Sequence, residues 1–294
     1  MKDYLVKSLA YEGQLRIYAV ESGQAVREAQ RIHNTWSAAT AALGRAIAAT
    51  AMLSAASLKD SEKMTVKIMG DGPAGAIVVD GNAQGTVKGY IQNPHVHFPL
   101  NGKKKIDVRD AIGSKGFLAV TKDLGLKAPF TGQVPLVSGE LGEDFTYYLA
   151  KSEQIPSAVG LAVTMDEHDI IEMAGGFLVQ VMPQAKEDVI SKMETKLASF
   201  PSISGMMAQK RTPEEIIYEL CGRDNVNILE RLPISYHCDC SKKRFARSLA
   251  SIAPKDLKEM IEKDHGAEAT CRFCGEKYHF DENELKDLYA RAIG

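Results

Sequence analysis

An α/β (α+β) fold is what this sequence predicts: a layered N-terminal domain holding an alanine-rich helix between β-sheets, then a helical linker, then a small C-terminal domain organised around cysteines. Three observations carry the prediction. Short β-type runs punctuated by glycine recur from Tyr4 to about Pro183, one segment from Thr35 to Leu58 is apolar on almost every face, and four of the five cysteines crowd between positions 238 and 274.

The β-type runs are MTVKIMG, GAIVVDG, TVKGYIQ, VHFPL, FTYYLA and GGFLVQVMP, rich in β-branched and aromatic residues between turn formers. They read as strands of antiparallel sheets. Between them, TWSAATAALGRAIAATAMLSAASL has high helix propensity and no polar face except at Arg45. A helix apolar all round has to be buried. Its length would span a bilayer, but its alanine content and central Arg45 make it a poor transmembrane segment, and its small side chains would let sheets pack closely on both sides.

Past Pro183 the pattern turns helical. Val189, Ile190, Met193, Leu197 and Phe200 recur at helical spacing, and SFPSISG ends that helix. Thr212 as N-cap, Pro213 at the first position and Glu215 three residues after the cap make a capping box, with Gly222 as the stop. Both helices are near or below the roughly 12 to 15 residues at which an isolated helix is even marginal in water. The segment therefore depends on packing and is a candidate for conditional unfolding. The expected division is an N-terminal core domain 1–183, a helical linker 184–233 and a C-terminal domain 234–294. In the last of these, Asp281 with Glu284 caps a final helix of about Glu282 to Arg291.

At 294 residues, with 45% hydrophobic and 25% charged residues, the composition is that of an ordinary globular protein. A net charge of -2 supplies no general attraction for nucleic acid or an anionic membrane, so neither is expected as a partner. The N-terminus, MKDYLVKSLAYEGQ, is broken by charges and has no apolar h-region, which predicts a cytoplasmic protein.

Five cysteines in such a chain suit a metal or redox site better than a disulfide framework. Cys238 and Cys240 are separated by one residue, Cys271 and Cys274 by two, and 30 residues lie between the pairs. Two close pairs supply four thiolates, the tetrahedral soft-donor set that zinc prefers in closed sites. The expected ligands of one zinc ion are Cys238, Cys240, Cys271 and Cys274. His237 and His279 are read as neighbours of the site, and Cys221 as a small buried helix residue. The zinc could be a structural ribbon that holds the C-terminus together. It could also be a switch, because coordination keeps the sulfurs as thiolates, the form oxidants attack, and Lys242, Lys243, Arg244, Arg272 and Lys277 would favour the anion. Spacing alone leaves both readings open.

HCDCS with CRFC, together with TWSAATAALGRAIAA, FTGQVPLVSGELGEDFTYYLAKSEQIPS and GGFLVQVMP, resembles the heat shock protein 33 family of redox-regulated holdase chaperones over essentially the whole chain. The resemblance implies a core helix sandwiched between sheets, in agreement with the reading of Thr35 to Leu58. It implies a stress-response chaperone and no enzyme, inactive while reduced and zinc-bound. Peroxide or hypochlorous acid, with heat, would drive disulfide formation, zinc loss, unfolding of the linker and ATP-independent binding of unfolding proteins. By position, the redox disulfides would be Cys238–Cys240 and Cys271–Cys274, and the activated form a homodimer.

Other signals are read as structure. Gly70, Gly72 and Gly75 spell G-x-G-x-x-G, but AIVVDG follows as a strand, so a glycine-rich hairpin is expected in place of a phosphate loop. His95 and His97 would share one strand face, Glu153 and Gln154 would serve a turn or interdomain hydrogen bonds, and Lys103 to Lys105 would form a solvated turn. A zinc-ribbon nucleic-acid binder is the alternative function. Residues 234–294 contain 11 Lys or Arg and 11 Asp or Glu, a balance that falls to -2 with four thiolates and one zinc counted, which opposes phosphate binding. A thiol–disulfide oxidoreductase using Cys271 and Cys274 is weaker still, because that pair does not open a helix in a thioredoxin-like βαβ unit.

Overall fold

A computed structural model of the protein describes residues 2–98 and 106–293, so the Lys103 to Lys105 turn lies outside the described residues. The chain divides into two compact units, Met1–His237 and Cys238–Gly294. The first runs β1 (Tyr4–Ala10), β2 (Leu15–Glu21), α1 (Gly23–His33), α2 (Ser37–Ser57), β3 (Lys63–Met69), β4 (Ala76–Asn82), β5 (Thr86–Ile91), α3 (Val108–Ile112), β6 (Phe117–Asp123) and β7 (Phe130–Pro135). It continues with α4 (Gly142–Lys151), β8 (Ser157–Met165), β9 (Ile171–Val181), α5 (Glu187–Ala198), α6 (Ile203–Ala208), α7 (Pro213–Cys221), β10 (Val226–Pro233) and β11 (Ser235–Tyr236). The second holds α8 (Lys242–Leu249), α9 (Pro254–Glu262), β12 (Gly266–Thr270), β13 (Lys277–Asp281) and α10 (Glu282–Ile293).

Two sheets form the first unit, one ordered β10-β1-β2-β9-β8 and the other β11-β5-β4-β3-β6-β7. Helix α2 lies between them, packing on β2, β8 and β9 of one and on β3, β4 and β5 of the other. Every residue from Ser37 to Ala55 except Arg45 is buried, which is why an alanine-rich segment without a polar face folds here as a core helix. By length and composition α2 would suit a membrane, yet 94% of its apolar stretch is buried inside the protein. Gly44 lets the helix approach closely: a Cβ there would sit 2.8 Å from Val26 Cγ1 and 2.9 Å from Val163 Cγ2. Arg45 escapes the core by donating from Nη1 to Glu140 Oε2 at 2.7 Å.

Two sequence readings are corrected. FTYYLA is not a strand but the body of α4, in which Phe145, Tyr148 and Leu149 are the buried face. The helix is started by Asp144, whose buried carboxylate accepts from the backbone N–H groups of Val137 (2.7 Å), Ser138 (3.0 Å) and Leu141 (3.0 Å). Leu141 itself is held at a φ of 61°, an uncommon conformation for a bulky side chain. VHFPL makes no strand over its described residues, and 93–98 is irregular. His95 accordingly stacks on Trp36, with centroids 5.1 Å apart, and His97 Nδ1 hydrogen-bonds Ser37 Oγ at 2.6 Å. Glu153 and Gln154 serve a turn, one of the two roles expected: Glu153 pairs with Lys122 Nζ at 2.6 Å and accepts from Tyr148 at 2.5 Å, while Gln154 takes a positive φ of 58°. The glycine-rich hairpin stands, since β3 and β4 pair antiparallel across residues 70–75.

A second apolar cluster lies on the other face of the β10-β1-β2-β9-β8 sheet. There Val6, Ala10, Leu15, Ile17, Ala19, Phe177 and Val179 meet Val189 and Met193 of α5, Ile203, Met206 and Met207 of α6, and Ile216, Ile217 and Leu220 of α7. These covering helices have 12, 6 and 9 residues. The capping box of α7 forms as expected: Glu215 N donates to Thr212 Oγ1 at 3.2 Å and Thr212 N to Glu215 Oε2 at 2.8 Å. Glu214 ties α7 to the sheet by accepting from Tyr4 Oη and Arg231 Nε, each at 2.7 Å. Burial alone would raise its pKa, but those two hydrogen bonds outweigh it and hold the carboxyl below the ordinary range. Within 184–233 an unexpected strand, β10, extends the sheet next to β1.

Candidate metal centre

The second unit has a small core of its own: Leu257, Ile261, Phe280, Leu285 and Leu288. Its two cysteine pairs arrive on short, well-fixed turns. Cys238 follows directly on His237, whose N–H donates to Val87 O at 3.0 Å. Cys240 precedes α8, capped by Ser241 Oγ accepting from Arg244 N at 3.3 Å. Cys271 and Cys274 occupy the tight connection between the antiparallel strands β12 and β13. There Cys271 N donates to Glu276 O and Gly275 N to Cys271 O, both at 2.8 Å, and Gly275 supplies the positive φ of 76° that the turn requires.

The four Sγ atoms of Cys238, Cys240, Cys271 and Cys274 all lie within 4.8 Å of one another. Across the pairs, Cys238 Sγ lies 3.7 Å from Cys271 Sγ and Cys240 Sγ 3.3 Å from Cys274 Sγ. A tetrahedron of sulfurs at about 2.3 Å from one ion has edges of about 3.8 Å, so the donors fit a single metal ion of zinc type. Neither His237 nor His279 belongs to the converging group; His279 Nδ1 instead faces Glu268 at 3.5 Å across the hairpin.

Tyr278 is a participant that sequence reasoning missed. Its hydroxyl lies 3.1 Å from Cys240 Sγ, and its ring stacks on Phe245 with centroids 5.1 Å apart. Only its place on β13, opposite Ala269, brings it there, and no spacing rule signals that. Burial resists ionisation of the thiols of Cys238, Cys240 and Cys274. At Cys240 the hydrogen bonds from Tyr278 and from the neighbouring thiols overcome it and shift the pKa down, whereas burial pushes Cys238 up and Cys274 up to about 11. Four close sulfurs cannot all ionise without a compensating cation, which is the requirement a dication meets. Three of the flanking bases are paired with carboxylates: Lys242 with Glu284 at 2.6 Å, Arg244 with Asp239 at 3.3 Å and Lys277 with Glu268 at 2.9 Å.

Cys221 stands apart, 4% exposed at the end of α7, with burial pushing its thiol up to about 12. Since the thiolate is the nucleophile, iodoacetamide at pH 8 is expected to leave Cys221 unmodified in the folded protein and to label it on denaturation. Peptide mass mapping reads both states. Prompt labelling without denaturant would contradict the packing of α7.

The comparisons with known proteins agree with this architecture. The family model described as Hsp33 protein matches residues 3–281. The 33 kDa chaperonin of Latilactobacillus sakei subsp. sakei is 60% identical over 290 residues, covering 99% of each chain. That of Listeria monocytogenes serovar 1/2a is 51% identical over 294 residues, covering 99% of this chain and 100% of the relative. The crystal structure of the 33 kDa chaperonin (heat shock protein 33 homolog) from Thermotoga maritima superposes with a TM-score of 0.89 at 36% identity, covering 100% of this chain and 99% of that one. With its helix between sheets, its cysteine cluster and sequence similarity running from end to end, the chain belongs to the Hsp33 family of chaperones.

Proposed function

We propose that this chaperone is a redox-regulated, ATP-independent holdase of the cytoplasm. In its reduced form Cys238, Cys240, Cys271 and Cys274 hold one zinc ion, and the protein is inactive. Oxidised, it binds unfolding client proteins without turnover and as a homodimer. The observation that carries the reading is the convergence of four thiols in a unit whose own core has five buried apolar residues. Bound zinc would supply the stability that so small a core lacks.

The chemistry asks for a peroxide as oxidant. In each pair, Cys238 with Cys240 and Cys271 with Cys274, one thiolate attacks a peroxide oxygen, the O–O bond breaks, a sulfenic acid forms, and the departing hydroxide takes a proton from solvent to leave as water. The second thiol attacks that sulfur, forming the S–S bond and releasing a second water. Two electrons leave the sulfurs and one peroxide is reduced. Both sequence pairs have their sulfurs within reach of one another. Once joined, the four sulfurs no longer serve as thiolate ligands, and residues 234–294 lose their main support.

The linker 184–233 would then respond through chain continuity. Residues 226–237 are anchored on one side by α7 and on the other by Cys238, and losing the second anchor turns β10 and β11 into a fraying end. The short helices α5 to α7 follow, exposing the apolar sheet face they cover. Exposed apolar surface of that kind is what unfolding proteins adhere to. The test treats the metal-loaded protein with peroxide at raised temperature, following metal release with a chromogenic chelator and aggregation of a heat-labile client in parallel. Both signals are expected to rise together. Strong protection by the reduced, metal-loaded form would overturn the switch.

A further inference from the structure

Strand β10 is the outermost strand of its sheet, next to β1. It is held unevenly. Leu232 is its one buried side chain, whereas Asn227, Leu229, Glu230, Arg231 and Pro233 are exposed. Its partner is the opposite case: Leu5, Val6, Ser8 and Ala10 of β1 are buried, Leu5 in the core around α2 and Val6 and Ala10 in the cluster under α5 to α7. What binds β10 is the backbone ladder, the packing of Leu232 in the α2 core and of Val226 and Ile228 against the second cluster, and two ion pairs, Lys7 Nζ on Glu230 Oε2 at 2.9 Å and Arg231 on Glu214. On the proposed reading, in which 184–233 leaves the sheet, β1 stays behind as a rigid strand with a row of unpaired N–H and C=O groups. An open edge of this kind is a template for another extended chain.

We infer that the position vacated by β10 is a client-docking edge, where an extended segment of an unfolding polypeptide adds antiparallel to β1. The inference rests on the holdase reading above and goes beyond it by naming what is recognised. The strand seated there now defines the occupant. Val226 and Ile228 lie opposite Ala10 and Ser8, the register shifts between Lys7 and Ser8, then Glu230 lies opposite Lys7 and Leu232 opposite Leu5. The edge thus selects a strand that is apolar at alternate positions and acidic opposite Lys7, whose ion-pair partner departs with β10. Backbone pairing tolerates many sequences, as a general holdase needs. The apolar face uncovered beside β1 would take the side chains of the same segment.

The test uses full-length protein, reduced or oxidised with peroxide, and a fluorescent peptide with the sequence of residues 226–233, VNILERLP. Anisotropy is expected to show binding to the oxidised protein and none to the reduced form, whose edge is occupied. Replacing the peptide's glutamate by lysine is expected to weaken binding by about threefold, the effect of one partly exposed cross-strand charge pair. Lys7→Glu in the protein is expected to reverse that preference, and unlabelled peptide to compete with client for protection.

A scrambled peptide binding as well as the native one, with no effect of Lys7→Glu, would overturn the inference. Oxidised dimers dissolved by a peptide that leaves client protection intact would also overturn it, by assigning the edge to a second copy of the chain. Client protection measured in the same samples separates the two ideas. Protection without selective peptide binding sinks this inference alone, whereas no protection after metal release sinks the holdase reading beneath it.

Discussion

Cys271→Ser is expected to unfold residues 238–294 in the reduced protein while leaving the sandwich of two sheets intact. Cys271 is 4% exposed, and its backbone fixes the turn that presents Cys274. Serine keeps the shape but supplies no thiolate. Structural zinc contributes on the order of 10 to 16 kcal/mol to small modules. A core as small as that of this unit rarely supplies more than about 3 to 5 kcal/mol, so losing tight coordination removes the larger stabilising contribution. The expected readout is fast proteolysis confined to the C-terminal unit, with hydrogen exchange in α2 unchanged and client protection present without oxidant. Cys221→Ser, the matched control outside the cluster, is expected to leave that unit protected. A Cys271→Ser protein as protease-resistant as the parent would mean that sulfur coordination supports nothing.

Ile217→Ala is expected to produce a chaperone that protects clients while still reduced and metal-loaded. Ile217 is fully buried where α7 lies on the sheet. Truncating a buried isoleucine costs about 2 to 5 kcal/mol, through lost burial and the cavity left behind. That cost falls on a cover of three short helices, none stable alone, so it shifts their docking equilibrium more than it weakens the core. Hydrogen exchange should accelerate in 187–221, an apolar dye should bind, and client protection should appear before peroxide is added. Faster exchange without any gain in protection would show that the uncovered face does not hold clients.

Much of this architecture was written in local pattern, and its failures share one cause. The α2 segment was legible because a long run without a polar side can only be a core helix. The capping boxes of Thr212 with Glu215 and Asp281 with Glu284 were legible because both partners are sequence neighbours; Glu284 N donates to Asp281 Oδ1 at 2.9 Å. FTYYLA was misread because aromatic and β-branched residues favour strands, although Phe145, Tyr148 and Leu149 already had helical spacing. The deciding contact comes from Asp144, which gathers the backbone of the preceding loop. β10 escaped notice because Leu229, Glu230 and Arg231 break the apolar alternation of VNILERLP, and only its distant partner β1 makes it a strand. At the cysteine cluster the spacing named four sulfurs but not Tyr278, whose position depends on the pairing of β12 with β13.

The burial of α2 on both sides has a consequence for how the protein would be silenced again. The apolar contacts that join the two sheets through α2 form a cluster separate from the one beneath α5 to α7. Whatever those helices do, the surface they return to keeps its shape, like a dock that stays moored while the boats are out. On the proposed holdase reading, resetting after stress would be a matter of local segments landing on a preformed platform, with no need to rebuild the long-range strand order of the sandwich, the slow step in acquiring a β-rich fold.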